Sequence, residues 1–226
     1  MSKKINLRET KKAKTKLSLL QTTIELAGKE EIKDLYVEEI CRKTEVSKVT
    51  FFNYFTRKEE LFSYYMAIWG FHRAVDQKLK PKHGIDGIQR IFYQAAEDAA
   101  EHPGMFLSLI RFLASEPACP IVPEVTEAEK QVLYPDHKLS SPALPHLYQQ
   151  FQEFLTEARE LREVRDDFST NQLIYTVVTT FYGAFLTAHT LGIQNIKAYY
   201  DMHLNLIRQK PEAGAASFHP ITYWES

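Results

Sequence analysis

The run EVSKVTFFNYFTRKEEL, residues 45–61, limits what this chain can fold into more than any other stretch. Phe51, Phe52, Tyr54 and Phe55 crowd together, with Lys48, Arg57 and Lys58 at the two ends and no glycine between them. A buried strand would not take the charges, and a surface loop would leave too many rings in water. Helical spacing resolves the conflict. Phe51 and Phe55 are four apart and share one face. Lys48, Val49, Phe52 and Asn53 fall on the opposite side, and Ser47 is a good N-cap. The segment predicts a short helix that is half core and half exposed surface.

Its neighbours complete a motif. Leu17, Leu20, Ile24 and Ala27 form an amphipathic stripe over residues 17–28. Val37, Ile40 and Cys41 mark a second, short helix ending near Lys43, and Thr44, Glu45 and Val46 make a tight turn. Thr56-Arg57-Lys58-Glu59 reads as a capping box that opens a fourth helix running toward Lys78. Two short helices joined by a three-residue turn and packed on a longer one form a helix-turn-helix. Val46, Phe51 and Phe55 then point at Leu20, Ile24, Ile40 and Leu61, while the other side of the third helix is free to enter a major groove. Its N-terminal N–H groups and dipole suit phosphate.

Charge distribution fits that geometry. Residues 1–60 hold 14 Lys and Arg against 10 Asp and Glu, and the remainder holds 14 against 19. Lys3, Lys4, Arg8, Lys11, Lys12, Lys14 and Lys16 lie within the first sixteen positions, opposed only by Glu9. A basic arm ahead of a small domain attracts polyanions; a solvated terminus would have the same composition. The start has no apolar core or cleavage site of a secretory signal. Cys41 and Cys119 make neither a disulfide framework nor a CxxC pair. A cytoplasmic location is expected, and no motif asks for a metal or another cofactor.

Beyond residue 80 the pattern is helical, with helices expected at 84–101, 104–115, 143–163, 169–191 and 195–209, the 169–191 helix ending at Gly192. Residues 116–142 carry Pro117, Pro120, Pro123, Pro135 and Pro142 and read as an irregular connection, with room for a short helix near 124–133 or a lid. The predicted class is all-α. A basic arm (1–16) precedes a helix-turn-helix domain (17–62), with helix four (about 57–78) bridging to a helical domain (63–210) and a tail (211–226). Residues 168–196 lack Asp, Glu, Lys and Arg. The strongly apolar part is shorter than the roughly 20 residues a membrane span needs, so this helix is expected to be buried on several sides of a protein without a membrane partner.

The run YVEEICRKTEVSKVTFFNYFTRKEEL, residues 36–61, resembles the DNA-binding domain of the tetracycline-repressor-like (TetR) transcription regulators. Val37, Ile40, Val46, Ser47, Thr50, Tyr54, Phe55, Lys58, Glu59, Glu60 and Leu61 agree with the family pattern in identity or type, and Glu25-Leu26-Ala27 aligns with its first helix. The resemblance covers roughly residues 17–62. It implies phosphate contacts from Ser47, Thr50, Tyr54 and Lys58 and base contacts from Lys48, Val49 and Asn53 on a double-stranded operator. Backbone contacts set register and base contacts specify; Asn53 could pair with adenine and Val49 touch a thymine methyl. The sequence also departs from the pattern. Glu31, Glu45 and Val49 stand where glycine is favoured, Tyr36 replaces a capping threonine, and Phe52 keeps a phosphate-binding tyrosine's ring without its hydroxyl.

The same resemblance implies a homodimer and a small-molecule effector. For the dimer interface it points to Phe181, Gly183, Ala184, Phe185, Thr187 and Ala188 on the 169–191 helix, with Tyr199, Tyr200, His203 and Ile207 on the next. A small apolar or aromatic effector is expected among Trp69, His72, Phe106, Arg111, Phe151, Tyr175, Thr179 and Tyr182. Repression is the commoner mode of the family. Two other readings stay open. An enzyme would need a catalytic motif, and no GxSxG, GxGxxG, P-loop, HExxH or Cys/His cluster occurs. A helical sensing or interaction protein with a decayed DNA-binding module would explain the lost glycines.

Overall fold

The computed structural model describes residues 6–27, 37–118, 120–137 and 146–209. Among them are ten α-helices: α1 (Leu7–Ala27), α2 (Val37–Lys43), α3 (Lys48–Tyr54), α4 (Glu60–Leu79), α5 (Gly84–Glu101), α6 (Pro103–Ser115), α7 (Glu127–Leu133), α8 (Leu147–Glu160), α9 (Thr170–Leu191) and α10 (Ile196–Ile207). The all-α reading holds. Expectations for Lys3, Lys4, Glu31, Tyr36, Cys119 and the 211–226 tail lie outside the described residues.

α1 starts ten residues earlier than the apolar stripe indicated. Asn6 and Glu9 cap it reciprocally: the Glu9 N–H donates to Asn6 Oδ1 at 2.8 Å, and the Asn6 N–H donates to Glu9 Oε2 at 3.1 Å. Basic residues from Arg8 to Lys16 are therefore helical, with Ala13 buried beneath them. α4 also departs from expectation. The Thr56–Glu59 capping box does not form, because the helix begins at Glu60 and the carboxylate reaching back to the Thr56 N–H, at 2.8 Å, is that of Glu60.

Two apolar clusters organise the chain. Leu19, Leu20, Ile40, Phe51, Phe55 and Leu61 form the first, which continues through Tyr64 and Ile68 of α4 into Met105, Leu109 and Phe112 of α6. The helix-turn-helix core is thus continuous with the larger domain. The second joins α5, α8, α9 and α10 around Phe92, Phe151, Phe154, Phe181 and Tyr200. Close approach of α5 to α8 depends on Gly87, where an added Cβ would lie 2.3 Å from the Phe154 ring. α9 is capped by a reciprocal Ser169–Gln172 pair and ends at Gly192, whose φ of 69° is the left-handed cap that glycine accepts without strain.

α9 is not buried on several sides within one chain. Leu173, Ile174, Val177, Phe181, Ala184, Phe185 and Ala188 face the core, whereas Tyr175, Thr179, Leu186 and Thr190 are exposed on the far side. Among the described residues no helix is long and apolar enough to cross a membrane.

Candidate nucleic-acid interface and ligand cavity

The turn before α3 is a Schellman motif. The Val46 N–H donates to Cys41 O at 3.0 Å and the Glu45 N–H to Arg42 O at 3.4 Å, so Glu45 occupies the position where glycine is usual. It adopts a left-handed φ of 55°. The turn expected of a glycine is made, with glutamate carrying the strain.

Ser47 caps α3, accepting the Thr50 N–H at 3.1 Å, and its hydroxyl lies 2.9 Å from the Thr50 hydroxyl. Phe51 and Phe55 are 0% and 2% exposed, with ring centroids 5.5 Å apart, and Phe55 continues onto Tyr64 at 5.7 Å. Ser47, Lys48, Val49, Phe52 and Asn53 are exposed, and Thr50, Tyr54 and Lys58 are half-buried beside them. Val49 is 72% exposed, which folding alone does not reward. α3 carries no acidic residue. α1 adds cation density at this edge, with the Lys12 ammonium 5.9 Å from the Tyr54 ring centre. Glu38 is the one counter-charge in contact with an expected reading residue among the described pairs: it binds the Lys48 ammonium, and that hydrogen bond holds its carboxyl below the ordinary value.

A cavity of about 880 Å³ opens between α4, α6, α8 and α9. Tyr65, Trp69, Phe71, Phe106, Phe151, Phe181 and Tyr182 line its walls. Trp69 is fixed there by donating to Asp98 Oδ2 at 2.6 Å and by the Arg73 guanidinium 5.0 Å from its ring. Ala118, Pro120 and Val122 to Val125 line it from the proline-rich stretch before α7, and Glu116, Lys130, His146 and Gln149 supply polarity.

Of the expected ligand residues, Trp69, Phe106, Phe151 and Tyr182 line this cavity and four do not. His72 is half-buried outside its lining, with Nδ1 2.6 Å from the Tyr134 hydroxyl, and desolvation lowers its pKa. Arg111 is on the exposed face of α6, and Tyr175 and Thr179 are on the outward face of α9. The wall formed by Ala118, Pro120 and Val122 to Val125 is not foreseen as a binding surface, although Pro117, Pro120 and Pro123 recur every three residues.

The dimer set needs a parallel correction. Phe181, Ala184, Phe185, Ala188, Tyr200 and Ile207 are buried in the chain's own core, where Phe181 also lines the cavity. Gly183, Thr187, Tyr199 and His203 are half-buried, and an added Cβ at Gly183 would meet nothing within 4 Å. Tyr175, Thr179, Gly183 and Leu186 form the open stripe of α9, with Leu206 exposed on α10.

Residues 19–65 match the family described as bacterial regulatory proteins, tetR family. Over those residues the chain matches the tetR family. That segment spans the helix-turn-helix built above, and the remaining helices are matched by solved tetR-like folds. The reduced form of NemR from E. coli superposes with a TM-score of 0.58 at 15% identity, covering 87% of this chain and 99% of that one. FadR of Thermus thermophilus, a TetR family transcriptional repressor solved with lauroyl-CoA, gives 0.57 at 19% identity, covering 88% and 100%. A TetR transcriptional regulator from Rhodococcus sp. RHA1 gives 0.56 at 16% identity, covering 85% and 95%. At these identities the likeness is one of fold. No curated protein sequence matches the chain. Among the described residues no group of three or more His, Cys, Asp and Glu could hold a metal ion.

Proposed function

We propose that this protein is a homodimeric, ligand-responsive transcription repressor of the tetR family that binds a pseudo-palindromic operator through α3 and is released by a small apolar or aromatic effector. The observation that carries the reading is the division of α3, with Phe51 and Phe55 buried and Lys48, Val49, Phe52 and Asn53 turned outward. Ser47, Thr50, Tyr54 and Lys58 flank that face where phosphates would run, leaving Lys48, Val49 and Asn53 for base edges.

One seven-residue helix makes too few base contacts to be selective. Two of them on a two-fold axis, about 34 Å apart or a multiple of that, read two half-sites. The open α9 stripe, Tyr175, Thr179, Gly183 and Leu186, gives a second copy a place to dock. The Glu45 turn speaks against a decayed module, because the helix-turn-helix geometry survives the loss of glycine. A ligand in the aromatic cavity regulates DNA affinity if it prefers one of two dimer shapes. Thermus thermophilus FadR, a repressor solved with lauroyl-CoA, is in keeping with both repression and ligand binding in this fold.

Selection of bound duplexes from a random pool tests the reading. An enriched inverted repeat is expected, with affinity falling steeply as salt rises. Absence of any enriched sequence, with binding insensitive to salt, would remove it.

A further inference from the structure

The wall of the cavity formed by the stretch before α7 is tied to the DNA-binding domain at both of its ends. At the first, Glu116, which lines the cavity, accepts from Arg57 Nη2 at 3.1 Å. At the second, Glu129 on α7 is 1% exposed, and its Oε1 accepts the Tyr64 hydroxyl at 2.7 Å and lies 3.5 Å from the Lys16 ammonium of α1. Lys16 also sits 3.9 Å from the centre of the Tyr64 ring. The other Glu129 oxygen, Oε2, accepts the Thr126 N–H and hydroxyl at 2.7 and 2.8 Å, completing the capping box of α7. One carboxylate thus holds the start of α7 and grips α1. Val125, between the ties, touches both the cavity and the apolar cluster that contains Phe51 and Phe55.

We propose that this wall is a strap that carries cavity occupancy to α1 and α3 through the Arg57–Glu116 and Lys16–Glu129–Tyr64 ties. The inference rests on the DNA-binding reading above and assigns the route of its regulation. Glu129 is the buried member of its pair, so pulling it away from Lys16 leaves its charge uncompensated in a low-dielectric site; the Arg57–Glu116 pair, with Arg57 mostly exposed, is the weaker tie. The strap therefore cannot shift outward around a ligand and leave α1 behind. It either drags the helix-turn-helix with it or breaks a tie. Coupling is reciprocal: whatever a ligand does to operator affinity, operator does to the strap.

Hydrogen exchange on the full-length protein, with and without the operator duplex obtained by selection, tests this. Operator is expected to slow exchange of the α7 amides (Glu127–Leu133) by about fivefold or more alongside those of α3. In the Glu116→Gln/Glu129→Gln variant, which keeps both side-chain shapes and one acceptor oxygen on each for the α7 cap while removing both charges, α3 protection persists and the α7 response is lost. Lys16→Gln, which leaves the α7 capping box intact, shows a reduced α7 response of the same kind. A Val178→Trp substitution then serves as a built-in cavity occupant. It weakens operator binding about fivefold or more in the parent chain and much less in the double variant. An α7 response of equal size in parent and double variant would overturn the strap. So would α7 indifference to operator while α3 is protected, or no effect of Val178→Trp. If no duplex protects α3 at all, the DNA-binding reading itself falls, and the strap with it.

Discussion

The Lys48 ammonium on α3 is held by the Glu38 carboxylate, ten residues earlier on α2. Both side chains are more than half exposed, so the pair screens easily and contributes little to the fold. On DNA it acts as a competitor, because Lys48 cannot satisfy Glu38 and a base edge or phosphate equally. Glu38→Gln is expected to raise operator affinity roughly twofold to fivefold at low salt, with the gain shrinking as salt rises. Fluorescence anisotropy over a salt series checks it. An affinity that falls would mean that Glu38 positions Lys48 rather than restraining it.

Asn53 and Lys58 should separate specificity from affinity. Asn53→Ala is expected to cost about 1–3 kcal/mol on the selected operator and little on a random duplex. Lys58→Ala should weaken both alike and lower the salt slope by about one. Titrations of each variant on both duplexes decide it, and equal losses everywhere would withdraw the two roles.

Glu45 carries strain that a glycine would relieve. The left-handed conformation costs an L-residue about 1–2 kcal/mol, offset by the about 0.4–1 kcal/mol that glycine loses through unfolded-chain entropy. Glu45→Gly is therefore expected to stabilise the protein by roughly 0.5–1 kcal/mol in urea unfolding. A loss of stability would show that the Glu45 side chain makes a compensating contact.

α9 offers a contrast between its two sides. Leu186→Glu on the outward stripe should yield monomers in sedimentation velocity with helicity intact. Phe181→Ala, which empties a core site between Trp69, Phe92 and Phe151, should cost about 3–5 kcal/mol of stability. If Leu186→Glu left a dimer intact, the stripe would not be the interface.

The same helix shows where the sequence was readable and where it was not. The α3 stripe was legible because charged and polar residues fix its phase: Phe51 and Phe55 can only be inside when Lys48 and Asn53 are outside. α9 has no charge on either side, so its pattern sets a helix but not its rotation. Hence the expectation puts Tyr175 and Thr179 at the cavity and Phe185 and Ala188 at the dimer face, whereas Tyr175 and Thr179 face outward and Phe185 and Ala188 are buried in the chain's own core. α1 was cut short for a different reason. Its first turns bury only Ala13, and the Asn6–Glu9 cap lies inside a run that reads as solvated charge. The cavity wall before α7 and its ties depend on pairs far apart in sequence, such as Arg57 with Glu116 and Lys16 with Glu129, which no local spacing announces.

Hydroxyl-radical footprinting of the protein on its selected operator tests most directly whether the outward face of α3 reads duplex DNA in pairs. Two protected patches are expected on one face of the duplex, related by a two-fold and separated by one helical turn of about 34 Å or a multiple of it. Both should fade together in the Asn53→Ala/Lys58→Ala variant. A single patch, or a footprint that this variant leaves unchanged, would contradict the account.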